Sequence, residues 1–399
     1  MITPVGPFGS APDWNRRNVL AAAIGLAMLA PARAAPQAAL RFRAWEAGES
    51  AAAGFGLRMS ERPVTAPGPG QVRLRVRATG LNARDLSLLR GVRIYGSKDG
   101  PRRIPLDDNA CEVLELGPDV SGLQIGDRVV CTHFPLWLDG AWDDATMSRM
   151  DFGVNTDGFL AEQAVVPARG LVKIPDGMSF EQAATFPNAG LTAWHAVVEA
   201  AQVKPGDTVV TLGTGGVSVF GLQWAKMLGA RVAITSSSDE KLARMRALGA
   251  DVTVNYRTNP AWHEAILDAT GGRGADVVLN TVGIGELERS LMACASNARV
   301  MQIGANPVKR GAPAQGPGGA PMEVPVGLRD FPRGMIMRGL RIQGVIVGSR
   351  AMLQAALQAA ALNRIAPVID RVFAFDQAPD ALHYMETGEK IGKIVIRVS

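Results

Sequence analysis

The chain has 399 residues, 47% of them apolar and 20% charged, and carries a formal net charge of +5. That balance excludes a disordered or fibrous protein. The basic excess is spread along Arg73, Arg75, Arg77, Arg84, Arg90, Arg93, Arg102 and Arg103, and not gathered with aromatics into the dense stripe of a nucleic-acid binder, so we read it as a solvated face. Cys111, Cys131 and Cys294 are far apart and odd in number, which argues against a disulfide framework. His133, His195, His263 and His383 show no tight metal-ligand spacing.

The chain opens on an address-like stretch, Asp13 to Pro36. Arg16 and Arg17 lead into an apolar run, Leu20 to Leu29, and Ala32-Arg33-Ala34 fits a small-residue cleavage site. The run is far shorter than the roughly 20 residues a membrane span needs. Paired arginines here point to the twin-arginine export route, although Asn15 and Val19 depart from its usual residues. The reading is a signal peptide over residues 1–34 and a periplasmic mature protein. The alternative is translation from Met28 and a cytoplasmic chain. No other stretch is apolar enough to cross a bilayer, and the remaining ~365 residues suggest two domains.

Residues 40 to 175 read as a β-rich domain. "GPGQVRLRVRATGLN" alternates Val72, Leu74, Val76 and Ala78 with polar residues, the pattern of a half-buried antiparallel strand. "GLQIGDRVVCTHF" and "GFLAEQAVVPARGLVKIP" read the same way. From Ser179 the period changes. "SFEQAATFPNAGLTAWHAVVEAAQV" is helical, and then short apolar strands alternate with helices as far as "ARVMQIGA". That alternation means βαβ units on a parallel sheet. "GAPAQGPGGAPMEVP" is a Gly/Pro loop, "LRIQGVIVGS" a further strand, "RAMLQAALQAAALNR" a helix and "GKIVIRVS" a last strand.

The most informative loop lies between a strand and a helix: Gly213, Thr214, Gly215, Gly216, Val217, Ser218. The first glycine permits the tight turn, the second lets backbone N–H groups approach a pyrophosphate, and the helix N-terminus adds its dipole. An NAD site usually has a carboxylate about 20 residues on, at the end of the second strand. Here that end reads Thr235-Ser236-Ser237-Ser238, with Lys241 one turn into the next helix. Ser236 and Ser237 leave room for a 2′-phosphate, so the loop predicts NADP(H). Asp239 is read as a first-turn residue favoured by the helix dipole, with Ser238 as the N-cap.

Taken together, "GPGQVRLRVRATGLNARDLSLLRG", "GDRVV", "DGFLAEQAVVP", "KPGDTVVTLGTGGVSVFGLQWAKMLGARVAITSSSDEKLARMRALGADVTVNY" and "GKIVIRV" resemble the medium-chain dehydrogenase/reductase superfamily, in its zinc-free, quinone-oxidoreductase-like and alcohol dehydrogenase-like branch. The resemblance covers nearly all of residues 40 to 399. It implies an α/β fold in which a Rossmann doubly wound parallel sheet is inserted in a β-rich GroES-like catalytic domain. The parts would be 38–178 (GroES-like), 179–346 (Rossmann, NADP-binding) and 347–399 (return to the catalytic domain). The resemblance also places Tyr256 beside Lys241 at the 2′-phosphate, Thr192 at the cofactor phosphates or ribose, and Gly283, Gly304 and Val347 along the cofactor cleft. For Tyr256 the alternative is a strand-end aromatic in the core.

Zinc-dependent relatives carry Cys-His where this chain reads Leu81-Asn82-Ala83-Arg84-Asp85, and Gly-His-Glu where it reads Leu106-Asp107-Asp108. No metal is therefore expected. Asp107, Asp108, Asp143 and Asp144 read as a solvated acidic loop in preference to a hard-cation site. Asn82 and Asp85 are the catalytic candidates: Asn82 as a hydrogen-bond partner of a substrate oxygen or the nicotinamide ribose, Asp85 in chemistry or, equally, as a loop-holding residue. Cys111 is expected near the cleft, either narrowing the pocket or simply packing against its neighbours, and Trp137 and Trp142 either line a flat apolar wall or pack in the lobe. The expected activity is zinc-independent hydride transfer between NADP(H) and a quinone, enone, other carbonyl or alcohol. The alternative is an NADPH-binding sensor without turnover. The resemblance also allows a homodimer through "LRIQGVIVGS".

Overall fold

A computed structural model describes residues 40–48, 56–90, 103–305 and 331–399. The leader read over 1–34 and the Gly/Pro loop "GAPAQGPGGAPMEVP" lie outside the described residues.

The first half of the chain contributes strands β1 (Arg41–Ala47), β2 (Leu57–Pro63), β3 (Gln71–Gly80), β4 (Ala110–Leu116), β5 (Arg128–Cys131), β6 (Gln163–Pro167) and β7 (Leu171–Lys173). β1 and β2 form an antiparallel pair, and "LRMSERP" of β2, with little alternation to reveal it, is a strand that periodicity alone does not show. β3 is the centre of the larger sheet. Its Val72, Leu74, Val76 and Ala78 are fully buried, as the alternation predicts. Its outward arginines pair across the sheet, Arg73 with Glu115 at 2.7 Å and Arg77 with Glu112 at 3.6 Å. Part of the basic excess is thus neutralised locally.

The Rossmann sheet follows, with β8 (Thr208–Thr211), β9 (Arg231–Ser236), β10 (Val252–Asn255), β11 (Ala275–Asn280), β12 (Cys294–Gln302) and β13 (Arg341–Gly344). All its pairs are parallel, in the order β10-β9-β8-β11-β12-β13. β8 and β11 are buried along their whole length because helices cover both faces. The strand order reverses between β8 and β11, and in such sheets the ligand crevice opens at the carboxyl ends beside that point. β13 is an edge strand.

The last two strands, β14 (Ile369–Ala374) and β15 (Lys393–Arg397), return to the first sheet. β15 lies antiparallel to β3, with Val395 opposite Gly80 and Ile396 opposite Thr79. Just before β15, the Gly392 N–H donates to Thr214 O at 2.9 Å. One short C-terminal segment therefore touches both the catalytic sheet and the dinucleotide loop.

Candidate active site

The loop after β8 has the geometry its glycines call for. Gly213 sits at φ +76°, a left-handed turn that favours glycine. A Cβ built on Gly215 would meet nothing within 4 Å, so the loop presents an open cradle beside the first turn of the helix Gly216–Met227. That first turn, which includes Val217, has N–H groups without intrahelical partners and the positive end of the helix dipole. Gly216 is tight: its Cβ would lie 2.7 Å from Lys393 Cδ and 3.1 Å from Ala189 Cβ. Thr192, buried, follows Ala189 by three residues in the helix beside the loop. Gly283 sits at φ +133° and exchanges hydrogen bonds with the Asn280 amide. Gly304 admits no side chain, since its Cβ would fall 2.4 Å from the Val282 carbonyl carbon. Val347 is buried, and its carbonyl accepts from His195 Nδ1 at 3.1 Å.

At the end of β9, Ser236 is buried, Ser237 half-buried, and Ser238 caps the helix Asp239–Ala247 by accepting from the Lys241 N–H. Asp239 is held sideways by Asn255 Nδ2 at 2.9 Å. Lys241 Nζ donates to Gly388 O at 2.5 Å. Tyr256 is 43% exposed, so it is not a core aromatic, and its N–H donates to Ser236 O.

Beneath the dinucleotide loop lies a buried polar centre. Lys393, 2% exposed, runs under Gly216 and donates from Nζ to Leu81 O (2.7 Å), Asn82 Oδ1 (2.6 Å) and Asp108 Oδ2 (2.6 Å). Asn82 Nδ2 donates to Asp108 Oδ2 (2.9 Å) and Asp107 Oδ1 (3.2 Å). Asn188 completes it, with Nδ2 on Asp107 Oδ2 at 2.6 Å and its backbone N–H on Asp108 Oδ1 at 2.9 Å. The local cause is Pro187, which has no N–H to continue the helical ladder. The turn widens there, Gly190 N reaches back five residues to Thr185 O, and the Asn188 N–H is released toward Asp108. Wide turns of this kind often occur at functional sites. Asn82 and half-buried Asn188 form the accessible edge.

A second layer supports the first. His133 Nδ1 bonds Asp107 Oδ2, and Arg84 places Nη1 2.5 Å from His133 Nε2 and Nη2 2.8 Å from Asp151 Oδ1. Burial pushes the Asp107 carboxyl up, but His133 and Arg84 pull it well below the usual range. Burial, then the Asp107 charge, outweigh Lys393 at Asp108, which is pushed up to about 6. Burial and the Asp107 charge raise Asp85 to about 8.

Several expectations change here. Asp107 and Asp108 are not a solvated loop; both are fully buried at the middle of the site, while Asp143 and Asp144 remain exposed and Asp143 caps a separate short helix. Their cationic partners come from distant parts of the chain, which no local pattern reveals. Asp85 holds the loop, accepting from the Asn82 N–H at 2.7 Å. Cys111 is not at the cleft: it lies in the catalytic-domain core among Val76, Val113 and Val129. Trp137 and half-buried Trp142 pack edge to face at 4.9 Å, with Phe134 also 4.9 Å from Trp142. Sequence reasoning missed Lys393, Asn188, His133, Arg84 and Asp151 as members of the site. Lys393 left only a weak signal, a lysine at the head of the apolar run Ile394-Val395-Ile396, and its burial is what demands a partner.

The chain matches the alcohol dehydrogenase GroES-like domain family over residues 68–176 and the zinc-binding dehydrogenase family over 216–361. It is 37% identical over 333 residues, 83% of this chain and 91% of the relative, to a zinc-type alcohol dehydrogenase-like protein of Schizosaccharomyces pombe. The chain belongs to the medium-chain dehydrogenase/reductase superfamily. Another relative is an alcohol dehydrogenase of Geobacillus stearothermophilus, 30% identical over 82% of this chain and 92% of its own length. The crystal structure of an NAD-dependent alcohol dehydrogenase, 31% identical, superposes with a TM-score of 0.76 over 90% of this chain and all of the other. The protein is an alcohol dehydrogenase-like oxidoreductase with a nicotinamide cofactor.

Membership of this superfamily implies two bound groups. The dinucleotide fits, since the cradle at Gly215 is open and the helix N-terminus faces it. A zinc ion at the polar centre does not fit. The donors there are the amides of Asn82 and Asn188 and the carboxylates of Asp107 and Asp108, with no thiolate, and the one adjoining imidazole, His133, is held between Asp107 and Arg84. A lysine ammonium already occupies the acceptors. Among the described residues no three His, Cys, Asp or Glu side chains converge to hold a metal.

Proposed function

We propose that this protein is a zinc-independent, NADP(H)-dependent oxidoreductase acting on a quinone, enone, other carbonyl or alcohol. The observation that carries the reading is the Lys393 ammonium, held 2.6 Å from both Asn82 and Asp108 directly under the dinucleotide loop. The nicotinamide supplies the hydride chemistry when bound.

The chain's own residues do the rest. An ammonium has three donors, and Lys393 spends all of them on Leu81, Asn82 and Asp108. It is therefore a fixed charge and a positioning residue. It polarises the Asn82 amide and offsets the Asp108 carboxylate. Asn188 has a second amide hydrogen beyond the one given to Asp107, and can offer it to a substrate oxygen. A preorganised donor of this kind stabilises charge developing on that oxygen. Ser236 and Ser237, with Lys241 nearby and no carboxylate free at the strand end, support NADP(H) over NAD(H).

The test is metal-chelated protein assayed with NADPH and NADH against quinones, enones, other carbonyls and alcohols. Substrate-dependent NADPH oxidation that survives chelation is expected. Loss on chelation with recovery on zinc would overturn the metal assignment, tighter NADH binding would overturn the cofactor preference, and binding without any turnover would favour a sensor. For the leader, the proposal remains twin-arginine export.

A further inference from the structure

His133 lies wholly inside the catalytic domain, with charged groups at both ring nitrogens. Nδ1 bonds Asp107 Oδ2, the same oxygen that accepts from Asn188 Nδ2 at 2.6 Å. Nε2 lies 2.5 Å from Arg84 Nη1 and 3.2 Å from Asp151 Oδ1. These are the charged groups that face the ring: Asp107 from the stretch before β4, Arg84 from the helix Ala83–Leu89 and Asp151 from the stretch after the helix Asp144–Arg149. On its own stretch the Phe134 ring packs edge to face against it, centroids 4.1 Å apart.

The two contacts at Nε2 exclude one another. A guanidinium has only hydrogens to offer, so Nε2 accepts from Arg84 only when bare. An ionised carboxylate has only lone pairs, so Nε2 bonds Asp151 only when it carries a proton. Nδ1 keeps its hydrogen on Asp107 in both cases. The ring can therefore gain or lose the Nε2 proton without letting go of Asp107. That proton also decides the charge of the centre. Asp107 and Asp151 lie below the usual carboxylate range, Asp108 is ionised above about 6, and Asp85 is neutral below about 8. With His133 neutral, Arg84 and Lys393 face three buried carboxylates; with His133 charged, the signs balance.

We propose that His133 is a positioning residue for carbonyl reduction: its Nε2 proton, acting through Asp107, offsets the carboxylate behind Asn188 and so lets negative charge grow on the substrate oxygen that Asn188 holds. The inference rests on the reading of Asn188 as the donor to that oxygen.

The chemistry gives the sign. Hydride arriving at a carbonyl carbon leaves negative charge on the oxygen. A carboxylate one amide away opposes that charge unless a cation sits behind it. Burial and Arg84 press His133 toward its neutral form, but Asp107 and Asp151 outweigh them and raise it above the ordinary histidine value. Reduction is therefore fast while His133 holds its proton and slows as pH rises through its titration.

The experiment is single-turnover NADPH oxidation by the full chain from pH 6 to 9, with whichever quinone, enone or other carbonyl it reduces fastest, for the natural protein and His133→Asn. Asparagine keeps an amide donor on Asp107 and does not titrate. The natural rate should fall about tenfold with rising pH, and His133→Asn should be flat and within about threefold of the natural rate at pH 9. A fall that persists in His133→Asn, or is absent from the natural protein, overturns the proposal. A second measurement does not depend on that variant folding: nitrogen NMR of the natural protein with labelled histidine. Nδ1 of His133 should stay protonated throughout while Nε2 titrates above the ordinary histidine value, and Asp151→Asn should lower that titration. A ring whose Nε2 does not titrate between pH 6 and 9 overturns the proposal. Turnover of no carbonyl by the natural protein overturns the functional reading and the proposal with it, whereas turnover with the same pH profile in both forms overturns the proposal alone.

Discussion

Replacing Lys393 by methionine keeps the length of the stem under Gly216 and removes the charge. Asp108 then keeps only the neutral donors Asn82 Nδ2 and the Asn188 N–H, and Asn82 Oδ1 loses its donor, both inside the protein. Removing one partner of a buried ion pair destabilises by about 3–5 kcal/mol, because the remaining charge is left uncompensated. Over the roughly 360 residues from Leu40 to Ser399, an unfolding entropy of about 2.1 cal/mol/K per residue turns that into a melting-temperature drop of about 4–7 °C. The size depends on pH. Burial pushes Asp108 up to about 6 although Lys393 holds it down, so without the lysine it lies higher still. At pH 5 the orphaned carboxyl takes a proton and the loss is smaller; the loss grows as pH rises through the raised value. Thermal melts of Lys393→Met and of Lys393→Met with Asp108→Asn, at both pH values, test this. The double variant should recover part of the loss at pH 8. A single variant that melts within 1 °C of the natural protein at pH 8, or a double variant that recovers nothing, refutes the buried-charge argument.

Gly215→Val should fold with an unchanged melting temperature, since its Cβ meets nothing within 4 Å, yet weaken dinucleotide binding more than tenfold in calorimetry because the cradle is filled. Asp85 is raised to about 8, above the unfolded carboxyl, so it lowers stability progressively as pH rises from about 4 to 8. Asp85→Asn can still accept the Asn82 N–H, and the gap between its melting temperature and that of the natural protein should widen with pH and level off above 8. A gap constant from pH 5 to 9 contradicts the assignment. Arg16→Lys with Arg17→Lys should shift the protein from the periplasmic to the cytoplasmic fraction; equal cytoplasmic amounts of full-length protein for both forms favour a start at Met28.

Local pattern was sufficient for much of the molecule. The 2.0-residue alternation of Val72, Leu74, Val76 and Ala78 marks β3, and the fully apolar β8 and β11 mark a sheet covered on both faces. The strand–glycine–helix sequence at 213–216 marks a dinucleotide loop because its backbone geometry is set within a few residues. Where alternation is weak, as in β2, the strand is visible only through its pairing with β1.

The polar centre is of another kind. Asp107 and Asp108 stand in a run that composition alone assigns to solvent, and the partners they find are not the arginines just before them in the chain. Their partners arrive from positions 26 residues on (His133), 80 and 81 residues on (Asn188) and 285 residues on (Lys393). Only the antiparallel return of β15 onto β3 brings the last within reach. The amino-acid sequence by itself determined the two sheets, the glycine turn between β8 and the helix after it, and the absence of a Cys-His pair at Asn82 to Asp85. The tertiary structure decided that the carboxylates are buried and that the Lys393 ammonium ties Asp108 to Asn82. Backbone conformation is governed by neighbours in the chain, whereas the charge state and partners of a buried side chain are governed by groups that only folding brings together.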